Sequence, residues 1–252
     1  MKKFGIALFF FAMLIPTTAF ADATRSQGGK VEFEDKQVIY DPENPSTPVS
    51  PEGGIKENTN PLRLDYVPAL NFGSQQAKVS DPYSAIALSF LDDTSARAHF
   101  VQITDNRGTA AGWTLGVKQE TQFRTVAGDE LDGAMLSLGH TWVNSIQTEA
   151  STFPNLKNDT INMKIGEEQE IATANQGKGE GTWLISFGRT SLENFKPLMD
   201  ENDNPILHPE SQKPLYENGS VTLTVPEKTV KKIGIPYKTE LTWILSDVPK
   251  SK

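Results

Sequence analysis

From Leu62 onward the hydrophobic positions recur with period two and almost never with the 3.6-residue spacing of an amphipathic helix. Ala98 to Thr104 sets Phe100 and Gln102 on one side and Val101 and Ile103 on the other, and Asp105-Asn106-Arg107-Gly108 then signals a turn. The alternation resumes at Trp113 to Lys118 as a returning strand. Similar runs are Ala134 to Leu138, Ile161 to Ile165, Gly181 to Phe187, Ser220 to Val225 and Lys238 to Ser246, separated by turns such as the Gly-rich stretch Asn175 to Gly181. Many short strands without a helical face predict an all-β chain, an antiparallel β-sandwich or barrel-like domain with long loops. The longest polar excursion is 198–219. Asp200, Asn202 and Asn204 have the oxygen spacing of a calcium loop there, but Pro205 stands where that loop needs Gly and Ser211 where it needs Glu. A solvated loop is expected, with no metal.

Before Leu62 the pattern changes. Residues 42–61 carry five prolines and two glycines, with Pro at every third position from 42 to 51, which favours an extended, solvated Pro-rich spacer without internal hydrogen bonds. Upstream, Lys30-Val31-Glu32-Phe33-Glu34 alternates and Val38-Ile39-Tyr40 follows, so a strand added to the main domain is expected. The first 21 residues read as a signal peptide: Lys2 and Lys3, an apolar run from Gly5 to Ile15, and Ala19-Phe20-Ala21 before Asp22. The apolar run spans 11 residues where about 20 are needed to cross a bilayer. Three segments result: 1–21 signal peptide, 22–61 N-terminal segment and spacer, and 62–252 the β domain. The later sequence offers no apolar anchor, no lipidation Cys and no sorting pentapeptide, so no membrane insertion of the mature protein is expected and surface attachment would be non-covalent.

Composition narrows the chemistry. The 252 residues include no Cys and three His, and 24 basic against 32 acidic side chains give a formal charge of −8, falling to −10 once Lys2 and Lys3 leave with the signal peptide. That balance, without a Lys/Arg-rich run, opposes nucleic acid. Thiol chemistry, disulfides and Cys-ligated metals are excluded, and His99, His140 and His208 sit in unlike settings that read as ordinary surface or partly buried histidines. Nucleophile elbows, zinc-protease motifs and phosphate or dinucleotide loops do not occur. The adjacent acidic pairs Asp92-Asp93, Asp129-Glu130 and Glu167-Glu168 read as solvated turns rather than catalytic carboxylates. No enzymatic activity and no cofactor are expected.

The aromatic residues carry more information. Trp113-Thr114-Leu115 and Trp243-Ile244-Leu245 repeat one spacing, and residues i and i+2 of a strand share a face, so each motif sets an indole beside an isobutyl group. That pair suits core packing. It equally suits a platform for the C–H face of a sugar, with the indole N–H free to donate. Both readings stay open for Trp113, Leu115, Trp243 and Leu245. Trp183 shares a face with Ile185 and Phe187 and reads as core, whereas Trp142 lies in an irregular segment that assigns it no role.

The two Trp-x-Leu motifs, the block Phe100 to Leu115, the segment Asp65-Tyr66-Val67-Pro68-Ala69-Leu70-Asn71-Phe72-Gly73 and the terminal Leu241 to Pro249 resemble the WxL domain surface proteins of Gram-positive bacteria. The resemblance covers about residues 62–252. It implies secretion and non-covalent attachment to the cell wall with peptidoglycan as ligand, through Trp113, Leu115, Trp243 and Leu245. Other WxL proteins and a membrane-anchored WxL-interacting protein are implied as partners in a surface complex. Two features depart from the family pattern: Ile244 at the centre of the second motif, and the length of the 198–219 excursion. The rival expectation is a structural subunit or adhesin held at the surface by the membrane-anchored partner. Expression in a secreting host is expected to yield a chain beginning at Asp22, which intact-mass measurement checks directly.

Overall fold

The computed structural model describes residues 36–76, 82–92 and 95–247. The expected signal peptide, the alternating segment 30–34 and the final residues 248–252 lie outside the described residues. Thirteen strands run along the described chain: β1 (Leu62–Tyr66), β2 (Tyr83–Ile86), β3 (His99–Asp105), β4 (Trp113–Gln119), β5 (Met135–Leu138), β6 (Thr141–Asn144), β7 (Asn155–Leu156), β8 (Ile161–Asn162), β9 (Glu168–Ala174), β10 (Gly181–Phe187), β11 (Phe195–Pro197), β12 (Tyr216–Thr224) and β13 (Leu241–Ser246). One 3-10 turn, Ala150–Thr152, is the only helical element among the described residues. The fold is all-β, as the period-two pattern predicts.

The strands form three antiparallel sheets, ordered β1-β3-β10-β6, β11-β12-β5-β8 with β2 also on β12, and β13-β4-β9-β7. They enclose one core, to which the first sheet contributes Val101, Ile103, Trp183, Ile185 and Phe187, the second Leu136, Leu138 and Val221, and the third Trp113, Leu115, Val117 and Ile171. The register explains this sorting: Trp183 lies opposite Ile103 and Ile185 opposite Val101, so one parity of both strands faces inward.

The opposite parity of the first sheet is buried as well. Phe100 and Leu184 form a second cluster with Ile39, Val49, Tyr66 and Phe90. Residues 38–51 therefore cover the outer face of this sheet, across the expected boundary at Leu62. They also make internal hydrogen bonds, from Asp41 N to Thr47 O at 2.9 Å and from Val49 N to Ile39 O at 2.8 Å. This stretch is thus not an isolated extended spacer. A turn closed by Asp41, Asn44 and Thr47 folds it back, and the apolar Ile39 and Val49 gain burial by doing so. Arg97 clamps the turn with two bonds to the Asp41 carboxylate, at 2.8 and 2.7 Å. Gln102 holds the incoming chain by donating to Val38 O and accepting from Tyr40 N. Its amide also donates to Asp65, which is buried and further satisfied by Arg63 and Thr104.

The 198–219 excursion is solvent-exposed over most of its length, as expected, and carries internal order as well. Its far end is already strand β12, and bridges Met199–Pro205 and Leu207–Pro214 close it. The Asp200 carboxylate accepts from the backbone N–H groups of Asn202 and Asn204, which pulls its pKa down. Its oxygens thus serve the turn itself.

His99 differs from the expected surface or partly buried residue. It has the parity of Val101 and Ile103 and no exposed surface. Asn218 Nδ2 lies 2.9 Å from its Nδ1 and also donates to Phe187 O, which assigns Nδ1 as the acceptor and leaves a buried Nε2–H without a partner among the described residues. Burial pushes its pKa down from 6.5 to about 4. The unfolded chain takes up this proton first as the pH falls. His99 therefore favours the fold fully above pH 6.5, and that contribution is lost as pH drops through 6.5 towards 4. We expect urea midpoints to fall across this window by an amount worth about 3 kcal/mol, with a shallower slope in His99→Gln; equal slopes would contradict it.

Candidate functional site

The two motifs meet on neighbouring strands. β13 pairs antiparallel with β4, setting Leu245 opposite Leu115 and Trp243 opposite Val117. All four motif side chains have the same parity, so the two Trp residues flank a central leucine pair. Their exposure differs sharply. Trp113 and Leu115 have none, whereas Trp243 and Leu245 are half-buried against the core.

Trp113 is held by a set of backbone constraints. Its indole N–H donates to Gly179 O at 2.9 Å, which satisfies the polar atom of a ring wholly removed from water. Gly179 has φ +77°, and a Cβ there would lie 2.6 Å from the indole nitrogen. Only glycine lets that carbonyl approach. On the other side Gly112 has φ +86°, where a Cβ would collide with the Ala174 carbonyl. The Gly-rich stretch after β9 is thus the lid on Trp113, pinned by Gly177 N to Ala110 O and Gly179 N to Thr152 O.

Arg107 organises the turn between β3 and β4. It makes two bonds of 2.8 Å to the buried Asp105 carboxylate and a third, of 2.7 Å, to Gly112 O. Asp105 therefore holds the arginine, the arginine holds Gly112, and Gly112 delivers Trp113. The hydrogen-bonded carboxylate raises the Arg107 pKa further, with a smaller contribution from Asp247. The sequence marks the turn but assigns Arg107 no role. The signal lay in Asp105-x-Arg107 preceding Gly112 at close range.

Trp243 presents the opposite case. Its ring lies 6.1 Å from that of Phe187, tilted by 36°. Among the described residues its indole N–H finds no protein acceptor and is not sealed from solvent. β13 is the edge of its sheet and β1 the edge of another. Between them runs an open groove of about 660 Å³. Leu62 and Leu64 of β1 and Leu245 and Ser246 of β13 supply its walls, and Arg107, Asp247, Asn58 and Asn60 its polar rim. The arrangement offers a mainly polar groove with donors and acceptors of both charges, interrupted by the apolar side chains of Leu62, Leu64 and Leu245.

A family model described as WxL domain surface cell wall-binding matches residues 21–249. The chain belongs to the WxL domain family. No curated protein and no solved structure matches it. The match spans nearly the whole chain, including the folded-back segment before Leu62. Within this WxL domain the first motif is a core element in which neither side chain meets solvent. The indole N–H of Trp113, which a sugar platform would need free, is already committed to Gly179. The second motif retains a surface.

The asymmetry is measurable. Trp113→Ala removes a fully buried indole and is expected to cost about 3 to 5 kcal/mol, while Trp243→Ala, at a half-buried edge, costs markedly less. Urea denaturation followed by circular dichroism reads both; equal losses would contradict the assigned division.

Proposed function

We propose that this WxL domain is a non-catalytic module that holds the secreted protein to the cell wall, with peptidoglycan as ligand and the second motif as its contact. The observation that carries this reading is the second motif at an unpaired sheet edge, where Trp243 is partly exposed with an uncommitted N–H and Leu245, two residues on, lines the groove. Leu245, Leu62 and Leu64 supply the apolar face, and Asn58, Asn60, Arg107 and Asp247 supply hydrogen bonds to the hydroxyl, amide and charged groups of glycan and stem peptide. Trp113 and Leu115 act through the fold, fixing the strand on which β13 is registered. The excess of acidic residues disfavours anionic wall polymers and leaves the glycan–peptide mesh as the fitting surface.

A second reading rests on the same edge. β13 and β1 both end their sheets, so a strand of a membrane-anchored partner or of another WxL protein fits by strand addition, with wall association then indirect. Sedimentation with protein-free sacculi, before and after removal of teichoic acids, separates the two. Direct binding predicts co-sedimentation with both preparations. Trp243→Phe, which keeps the packing but loses the donor, is then expected to weaken it about three- to tenfold. Absence of binding by the folded protein would transfer the role to a protein partner.

A further inference from the structure

The opposite edge of the β1-β3-β10-β6 sheet carries a second pocket, of about 430 Å³. It sits beside β6, three strands away from the groove at β1. Trp142 and Asn144 share the outer face of this sheet with Ser186 and Leu184, to which they are registered. Glu43 comes from the folded-back N-terminal turn, and Arg189 and Ser191 come from the loop after β10.

This loop is anchored on both sides of Arg189. The indole N–H of Trp142 donates to Gly188 O at 2.7 Å. Thr190 donates its backbone N–H to one Glu43 oxygen at 2.7 Å and its hydroxyl to the other. Between these anchors the Arg189 guanidinium lies 3.9 Å from the centre of the Trp142 ring. No protein acceptor takes a hydrogen bond from it among the described residues, and it forms no ion pair there. Glu43 lines the same pocket without pairing with Arg189, because Thr190 holds the carboxylate while the indole holds the guanidinium. A carboxylate offers about four lone-pair sites, and Thr190 uses two.

We propose that this pocket binds the zwitterionic form of an amino acid or short peptide, its carboxylate on Arg189 and its ammonium on Glu43. The Arg189 guanidinium lies over the Trp142 ring with its N–H groups free of protein acceptors among the described residues, and a guanidinium takes a carboxylate with two parallel bonds. Two opposite charges fixed apart in one pocket match a ligand that carries both. The two anchors fix the backbone on either side of Arg189 and the Glu43 carboxylate, which lowers the ordering cost of binding. The volume suits a small ligand, within the range of about 300 to 1,000 Å³ usual for such sites. The assignment is independent of wall binding through Trp243, since pocket and groove lie at opposite edges of one sheet.

The test titrates the full protein with alanine, dialanine and trialanine, each free, N-acetylated or C-amidated, in the L and D series. Calorimetry and the Trp142 indole ¹⁵N–H resonance, assigned with Trp142→Phe, report binding. At least one free zwitterion is expected to bind saturably, with either cap weakening it roughly tenfold or more. Arg189→Gln, at an exposed position, should bind the free and amidated forms equally, and Glu43→Gln the free and acetylated forms equally. A preference for the D series places the natural ligand among wall peptides, and one for the L series among ordinary proteins; either supports the site. No saturable binding of any zwitterion, indifference to both caps, or unchanged selectivity in Arg189→Gln would overturn it.

Discussion

A buried indole must find an acceptor for its N–H, and much of this fold is arranged around that requirement at Trp113. The acceptor is the Gly179 carbonyl, presented in a backbone conformation and at a distance that a side chain would forbid. The turn 105–112 meets the same need from the other side, with Asp105, Arg107 and Gly112 linked in series. A sixteen-residue block that looks arbitrary as a string is thus one mechanical unit. It begins in strand β3, passes through a charge-locked corner and ends with the ring of Trp113 and the side chain of Leu115 sealed in the core.

That sealing divides labour between two motifs of identical spacing. The first lies on β4, between β13 and β9, and has no surface left. The second lies on an edge, so the same indole and leucine keep one side for solvent. Strand position, not motif chemistry, decides which copy can touch anything outside the protein. Leu115 opposite Leu245 transmits the order of the inner motif to the outer one.

The sequence made the central strands legible because their two parities differ in kind. β10 has the bounds expected for it, and β3 and β4 lie within a residue or so of theirs. β9 escaped notice since its opening Glu-Gln-Glu reads as solvated turn, and only Ile171 to Ala174 carry the burial of a core strand. β6 is hidden in the sequence for a related reason: an edge strand partly open to water need not alternate. The prolines of 42–51 suggested extension, yet the residues that decide the path are Ile39 and Val49, whose partners Phe90 and Phe100 lie far along the chain. The same distance hides the Asp41–Arg97 clamp. The four motif residues were nameable at once, but their division into core and surface depended on register, which no local pattern encodes. His99 was recoverable, as it shares parity with Val101 and Ile103.

The folded-back segment gives the molecule an order in which to yield under load. Tension entering the described chain at Lys36 meets first the Gln37 side chain, which donates to Asp65 O of β1 and accepts from Asn58 N, then the Gln102 bonds at Val38 and Tyr40 and the Asp41–Arg97 clamp. Peeling that flap uncovers Phe90, Phe100 and Leu184 while the larger core stays closed behind them. A WxL protein fixed to a wall and pulled from its N-terminal side would thus lengthen by a short, recoverable step first. In that setting the Pro-rich turn would be the element that gives first, and the apolar surface beneath it would draw it back.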